Sequence, residues 1–219
     1  MALVPLPASP ACKGHSTSEV LALVRHVQAV YLQFHQAQLD TLNANEGDNE
    51  PFTEIPEGDE LTLDQLDYYD LGPGFRSWTI PPYAFLGAGA YRVAIGLCDE
   101  HALKVNPAQI NHNAFEAATW ASLPDHLKHL FVPVLAVAPG PSPAWLIASR
   151  AVPLEPTRDN DYLAEQVYLH LDGLEDIGVH QLGHLGDRLV ILDYGHNASD
   201  LSALLRQFAD PEVPASLLD

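Results

Sequence analysis

Gly87-Ala88-Gly89-Ala90-Tyr91-Arg92-Val93, followed by Ala102-Leu103-Lys104-Val105, is the stretch on which the reading of the fold turns. The apolar segments 80–86 and 91–97 flank the glycines as strands, and a third strand, 102–105, follows a turn at Asp99-Glu100. The result is an antiparallel start of three strands. Without a Cβ, Gly87 and Gly89 allow a turn whose backbone amides close over phosphate groups, with Arg92 adding a cation beside them. The same glycine spacing also serves an ordinary hairpin.

Lys104 stands in the middle of an apolar strand, which carries it either to solvent or into a cleft between sheet and helix. Asn106-Pro107 then places a cap residue before a proline suited to a first helical turn. Ile110, Ala114, Phe115, Ala118 and Trp120 mark the helix, which ends near Pro124. Glu116 on that helix is expected to pair with Lys104, since an unpaired buried lysine is costly.

Further along, 131–138 and 144–148 read as strands around a proline-rich loop, and a helix is predicted from about 160 to 170. Asp176-Ile177-Gly178-Val179-His180-Gln181-Leu182-Gly183 reads as a loop offering a carboxylate and an amide. The apolar strand 188–192 ends in Asp193-Tyr194-Gly195, where the carboxylate either ligates magnesium or caps the turn. A short final helix carries Leu201, Leu204, Leu205 and Phe208.

Upstream, Ser16-Thr17-Ser18-Glu19 has capping-box spacing. Val20, Leu23, Val24, Val27, Tyr31 and Phe34 follow at helical intervals, predicting an amphipathic helix over about 17–44 that needs a partner surface. Residues 46–70 hold ten acidic side chains and no basic one, and begin as an exposed loop. A second short helix opens near Thr62. Composition changes at Leu71-Gly72-Pro73-Gly74, so the division is an N-terminal helical and acidic region, 1–75, and a compact domain, 76–219.

The 219 residues carry 29 acidic and 10 basic side chains, a formal net charge of -19. Direct nucleic-acid binding through a basic face is therefore not expected. The acidity suits a basic protein partner, imitation of nucleic acid, or plain solubility. Cys12 and Cys98 are too few for a disulfide framework, no stretch resembles a leader or a membrane span, and a cytoplasmic protein is expected.

Taken together, the segments from about 80 to 195 resemble the protein-kinase-like superfamily, in particular the small divergent kinase-like proteins of bacteria and bacteriophages. The resemblance implies an α+β, two-lobed kinase-like fold: an antiparallel N-lobe sheet with one helix, a reduced helical C-lobe, and here an added N-terminal helical region. It implies ATP and Mg2+ as cofactors. By it, Gly87, Gly89 and Val93 look like the glycine-rich loop, Lys104 like the phosphate-binding lysine and Glu116 like its helix partner. Asp176 looks like the catalytic-loop acid, Gln181 and Asp193 like the metal-binding pair, and 145–151 like the strand and hinge beside adenine.

The departures are Leu174-Glu175 before Asp176 where the family has His-Arg, Gln181 in place of Asn, and no Ala-Pro-Glu segment among the residues after Gly195. They leave two readings open: phosphotransfer to an unidentified acceptor, or a pseudokinase that holds a partner protein through its acidic surface. A separate possibility is a transition-metal centre built from His170, His180, His184 and His196 with Asp176 and Asp193, although the spacing matches no familiar zinc motif.

Overall fold

The computed structural model describes residues 15–45, 83–88, 92–106, 112–170 and 178–194. Gly89, Asp176, Gly195, His196, the acidic stretch 46–70 and the expected final helix lie outside them.

Helix α1 spans Thr17–Asn45. Its start is fixed as the sequence implies: the Ser16 N–H donates to Glu19 Oε2 at 2.8 Å, and the Glu19 N–H donates to Ser16 Oγ at 3.3 Å. That box satisfies two amides which the first turn leaves without helical partners. What holds the helix to the rest is its stripe, since Val20, Leu23, Val24 and Val27 are all buried. Each contributes roughly 1.5–3 kcal/mol on burial, before the entropy of ordering is subtracted.

The surface beneath that stripe is a five-stranded antiparallel sheet: β1 (Ala84–Ala88), β2 (Val93–Gly96), β3 (His101–Val105), β4 (Val134–Val137) and β5 (Trp145–Ser149), in the order β1-β2-β3-β5-β4. Side chains alternate between faces along each strand. Val93 and Ile95, Leu103 and Val105, and Trp145 and Ile147 point to one face and form a single core with α1. Ala94, Lys104 and Leu146, which lie in register with one another, belong to the other face. Helix α2 (His112–Ser122) covers that second face, with Asn113, Glu116 and Thr119 fully buried. The sheet is thus packed on both sides, which explains why all five residues of β3 are buried.

Beyond β5 the chain forms β6 (Val152–Pro153), helix α3 (Arg158–His170), a 3-10 turn (Val179–Gln181), β7 (Leu182–Leu185) and β8 (Arg188–Ile191). The last three strands make a second antiparallel sheet in the order β6-β7-β8. Gly186-Asp187 closes the two-residue hairpin between β7 and β8, and Gly186 takes the positive φ of 65° that this turn needs. Phe131, Leu182, Ile191 and Tyr194 pack with Ala164 and Val167 of α3 in a second core. No helix among the described residues is long and apolar enough to cross a membrane.

Three local expectations are corrected. The segment read as a loop up to Gly183 contains the 3-10 turn and the start of β7. Gly183 belongs there because β6 approaches so closely that a Cβ would lie 2.5 Å from the Val152 carbonyl. Gly87 is not in a turn: it sits inside β1, at a bulge where the register shifts, with φ +157°. Phe131 makes only an isolated parallel bridge to Ile191, and the strand expected from it begins at Val134.

Candidate functional site

Four charged side chains from four separated segments meet on the α2 face of the large sheet. Glu116 of α2 is the centre and is wholly buried. Its Oε1 accepts a hydrogen bond from Lys104 Nζ at 2.6 Å, and its Oε2 accepts one from Arg92 Nη1 at 2.6 Å. The other guanidinium nitrogen of Arg92 pairs with Asp193 Oδ1. Lys104 Nζ also donates to the Leu192 carbonyl at 2.5 Å. A chain of contacts therefore runs from Asp193 through Arg92, Glu116 and Lys104 back to the backbone beside Asp193.

The local folding explains each position. Alternation on β3 turns Lys104 towards α2, while Arg92, one residue before the α1-facing Val93, turns the same way. Helical spacing brings Glu116 inward along with Asn113, whose side-chain amide donates to the Pro143 carbonyl at 3.2 Å. Tyr194 anchors the far end: its hydroxyl donates to the Val132 carbonyl at 2.7 Å, and its ring lies 5.9 Å from Lys104 Nζ.

Two positive and two negative groups make the cluster neutral as a set, which is how such charges tolerate removal from water. Burial pushes Lys104 down to about 8; Glu116 opposes that shift and Arg92 adds to it. For Glu116, burial alone would raise the carboxyl, but Lys104 and Arg92 together outweigh it and hold the group below its usual range. Burial pushes the Tyr194 phenol up, with Glu116 acting in the same direction. Asp193 is the accessible member, its side chain 42% exposed.

Of the residues singled out in the sequence, Lys104, Glu116, Arg92 and Asp193 come together. Arg92 was expected beside phosphates; its contacts to Glu116 and Asp193 link distant segments, and no local spacing announces them. Gly87 is across the sheet in the same row, paired with Ala94, which in turn pairs with Lys104. A Cβ built on Gly87 would meet nothing within 4 Å. Val93 is not brought to the cluster, because it is buried against α1 on the opposite face. Gln181 lies in the 3-10 turn, where its Oε1 accepts the Gly178 N–H at 2.7 Å. Leu192 is joined to it by backbone, the Leu192 N–H donating to the Gln181 carbonyl at 2.6 Å. His180 and His184 are exposed. Among the described residues, the ligand atoms of His15, Cys98 and His101 lie close together, but Cys98 is disulfide-bonded, and the group contains none of His170, His180, His184 and His196.

Chemically, the cluster offers a fixed ammonium and guanidinium beside one accessible carboxylate. Asp193 suits a hard cation such as magnesium, which takes oxygen ligands. Gln181 fits less directly, since its side-chain oxygen already serves the backbone and has one lone pair left. Comparison with family models, with curated proteins and with solved structures returns no match for this chain.

Proposed function

We propose that the chain is an ATP-binding protein with a kinase-like two-lobed fold, which transfers a phosphoryl group to an acceptor hydroxyl. The observation that carries this reading is the Lys104–Glu116 ion pair between β3 and α2, with Asp193 at the end of the β7–β8 hairpin joined to it through Arg92. A strand lysine paired to a helix glutamate is the device that holds a phosphate-binding cation in place in kinases. In this reading Lys104 and Arg92 contact phosphate oxygens, and Asp193, with Gln181, holds magnesium. Asp176 positions the acceptor. Ala94 and Gly87, which follow Lys104 in its row across the sheet, are small and place no bulky side chain beside it that would obstruct a triphosphate. Magnesium supplies charge neutralisation when bound; the chain's own part is to position the phosphates and exclude water.

The test is transfer of labelled γ-phosphate from ATP to the chain itself or to a panel of hydroxyl acceptors. Asp193→Asn should abolish it, and wild-type transfer no greater than that of Asp193→Asn sinks the catalytic claim.

A second reading is favoured by two specific contacts: Asp193 is engaged by Arg92, and the Gln181 oxygen by Gly178. Both would-be metal ligands are occupied within the chain, which suits a pseudokinase that binds a partner protein through its acidic surface. Neutralising the acids of 46–70 should then abolish partner capture while Lys104→Ala leaves it intact. The reverse pattern rejects it.

A further inference from the structure

We propose that Arg92 is a latch on Asp193: it holds that carboxylate in the unliganded chain and moves to the nucleotide's phosphates when they bind, so that nucleotide and magnesium strengthen each other's binding. The inference rests on the nucleotide-site reading above and adds to it the way the cluster opens.

The two ends of the Arg92 fork are held unequally. Nη1 donates to Glu116 Oε2 at 2.6 Å, where the glutamate side chain is 0% exposed, whereas the other nitrogen reaches Asp193, whose side chain is 42% exposed. Withdrawing a cation from a wholly buried carboxylate strands a charge away from water, but at an exposed carboxylate water takes the cation's place. Arg92 therefore keeps Glu116 and gives up Asp193. A planar guanidinium anchored by one nitrogen still offers N–H groups in the fork geometry that suits phosphate oxygens.

Asp193 stays in position when the latch opens, because the backbone on either side of it is fixed by other groups. The Leu192 carbonyl accepts from Lys104 Nζ at 2.5 Å, the Leu192 N–H donates to the Gln181 carbonyl at 2.6 Å, and the Tyr194 hydroxyl donates to the Val132 carbonyl at 2.7 Å. Opening is a side-chain event.

Charge sets the coupling. Lys104 and Arg92 already balance Glu116 and Asp193, so a divalent cation on its own would have to displace the guanidinium and then lie beside two positive groups. Phosphates reverse that balance, since they draw Arg92 away and place negative charge next to Asp193. Opening opposes each ligand alone but is needed only once for the pair. That difference is a coupling free energy, and it acts equally in both directions.

The experiment uses the full chain and Arg92→Lys, whose ammonium keeps a charge for phosphate but lacks the fork that bridges two carboxylates. Manganese(II), counted by the electron spin resonance of the free ion, stands in for magnesium, and ATP binding is followed by calorimetry in magnesium and in EDTA. Without nucleotide, Arg92→Lys should bind manganese at least about tenfold more tightly than the wild type, a gain absent from Arg92→Lys/Asp193→Asn. The factor by which magnesium strengthens ATP binding should be smaller in Arg92→Lys by the same amount. Arg92→Met, which leaves Lys104 to pair Glu116, repeats the manganese comparison if the lysine variant does not fold. Manganese affinity that is equal in the wild type and the Arg92 variants, or absent from all of them, overturns the latch, as does a gain that survives Asp193→Asn or an equal magnesium effect on ATP. ATP that still binds the wild type in EDTA then leaves the nucleotide site standing without the latch. A wild type that binds no ATP in either condition removes the site and the latch together.

Discussion

Glu116→Gln keeps the shape of the side chain and removes its charge, so Lys104 and Arg92 face a neutral amide at a position that is 0% exposed. Removing one partner of a buried ion pair costs about 3–5 kcal/mol, because the other charge stays out of water. An exposed pair would lose about 1 kcal/mol or less. Two reliefs draw the figure to the lower end: Arg92 keeps Asp193, and Lys104, brought to about 8 by burial even with Glu116 present, moves further down without it. It then sheds its proton near neutrality. The expected loss is about 3 kcal/mol at about pH 7, or roughly 6–12 °C in Tm for a chain of this size.

The pH dependence has a definite sign. With its native pKa depressed from 10.5 to about 8, Lys104 binds fewer protons folded than unfolded between those values, and its contribution to stability grows as pH rises through that window. At about pH 9 the lysine is largely neutral in both chains, so the cost of Glu116→Gln shrinks. Urea unfolding followed by circular dichroism at the two pH values measures both effects. A loss below about 1 kcal/mol near neutrality, or a loss that grows with pH, refutes a buried ion-paired Glu116.

Other consequences are measured as simply. ATP affinity, followed by fluorescence of a labelled nucleotide, should weaken as pH rises through about 8, because Lys104 loses the proton it would donate to phosphate; an affinity that is flat across that range removes Lys104 from the contact. Tyr194→Phe deletes the hydroxyl that bonds the Val132 carbonyl and should cost about 1 kcal/mol in thermal or urea unfolding. Ser16→Ala should cost about 1 kcal/mol in the same assay by uncapping α1. No change in stability would mean that the capping box does not hold the helix end.

The parts of this architecture legible in the sequence are those governed by short-range periodicity. The Ser16–Glu19 box and the stripe from Val20 to Val27 give α1, and alternation around Lys104 followed by helical spacing to Glu116 gives the central ion pair. What escaped depends on register between distant strands. β6 and β7 are short, and only their pairing across Gly183 makes them strands. Arg92 meets Asp193 because β2 and the segment after β8 converge on α2, which neither stretch encodes alone. Val93 matched a motif, yet alternation placed it against α1. His15 and His101 lie far apart in the chain, so only the packing of α1 on the sheet brings their rings together.

The central claim is a nucleotide site at Lys104, and calorimetric titration of the full chain with ATP and magnesium tests it most directly. Lys104→Met is the fitting control, because Glu116 keeps Arg92 as a partner and the cluster keeps a cation. Saturable binding to the wild type at one site per chain, weakened at least about tenfold in Lys104→Met, a change worth about 1.4 kcal/mol, is the expected result. No heat of binding to the wild type, or equal affinity in both chains, would contradict it.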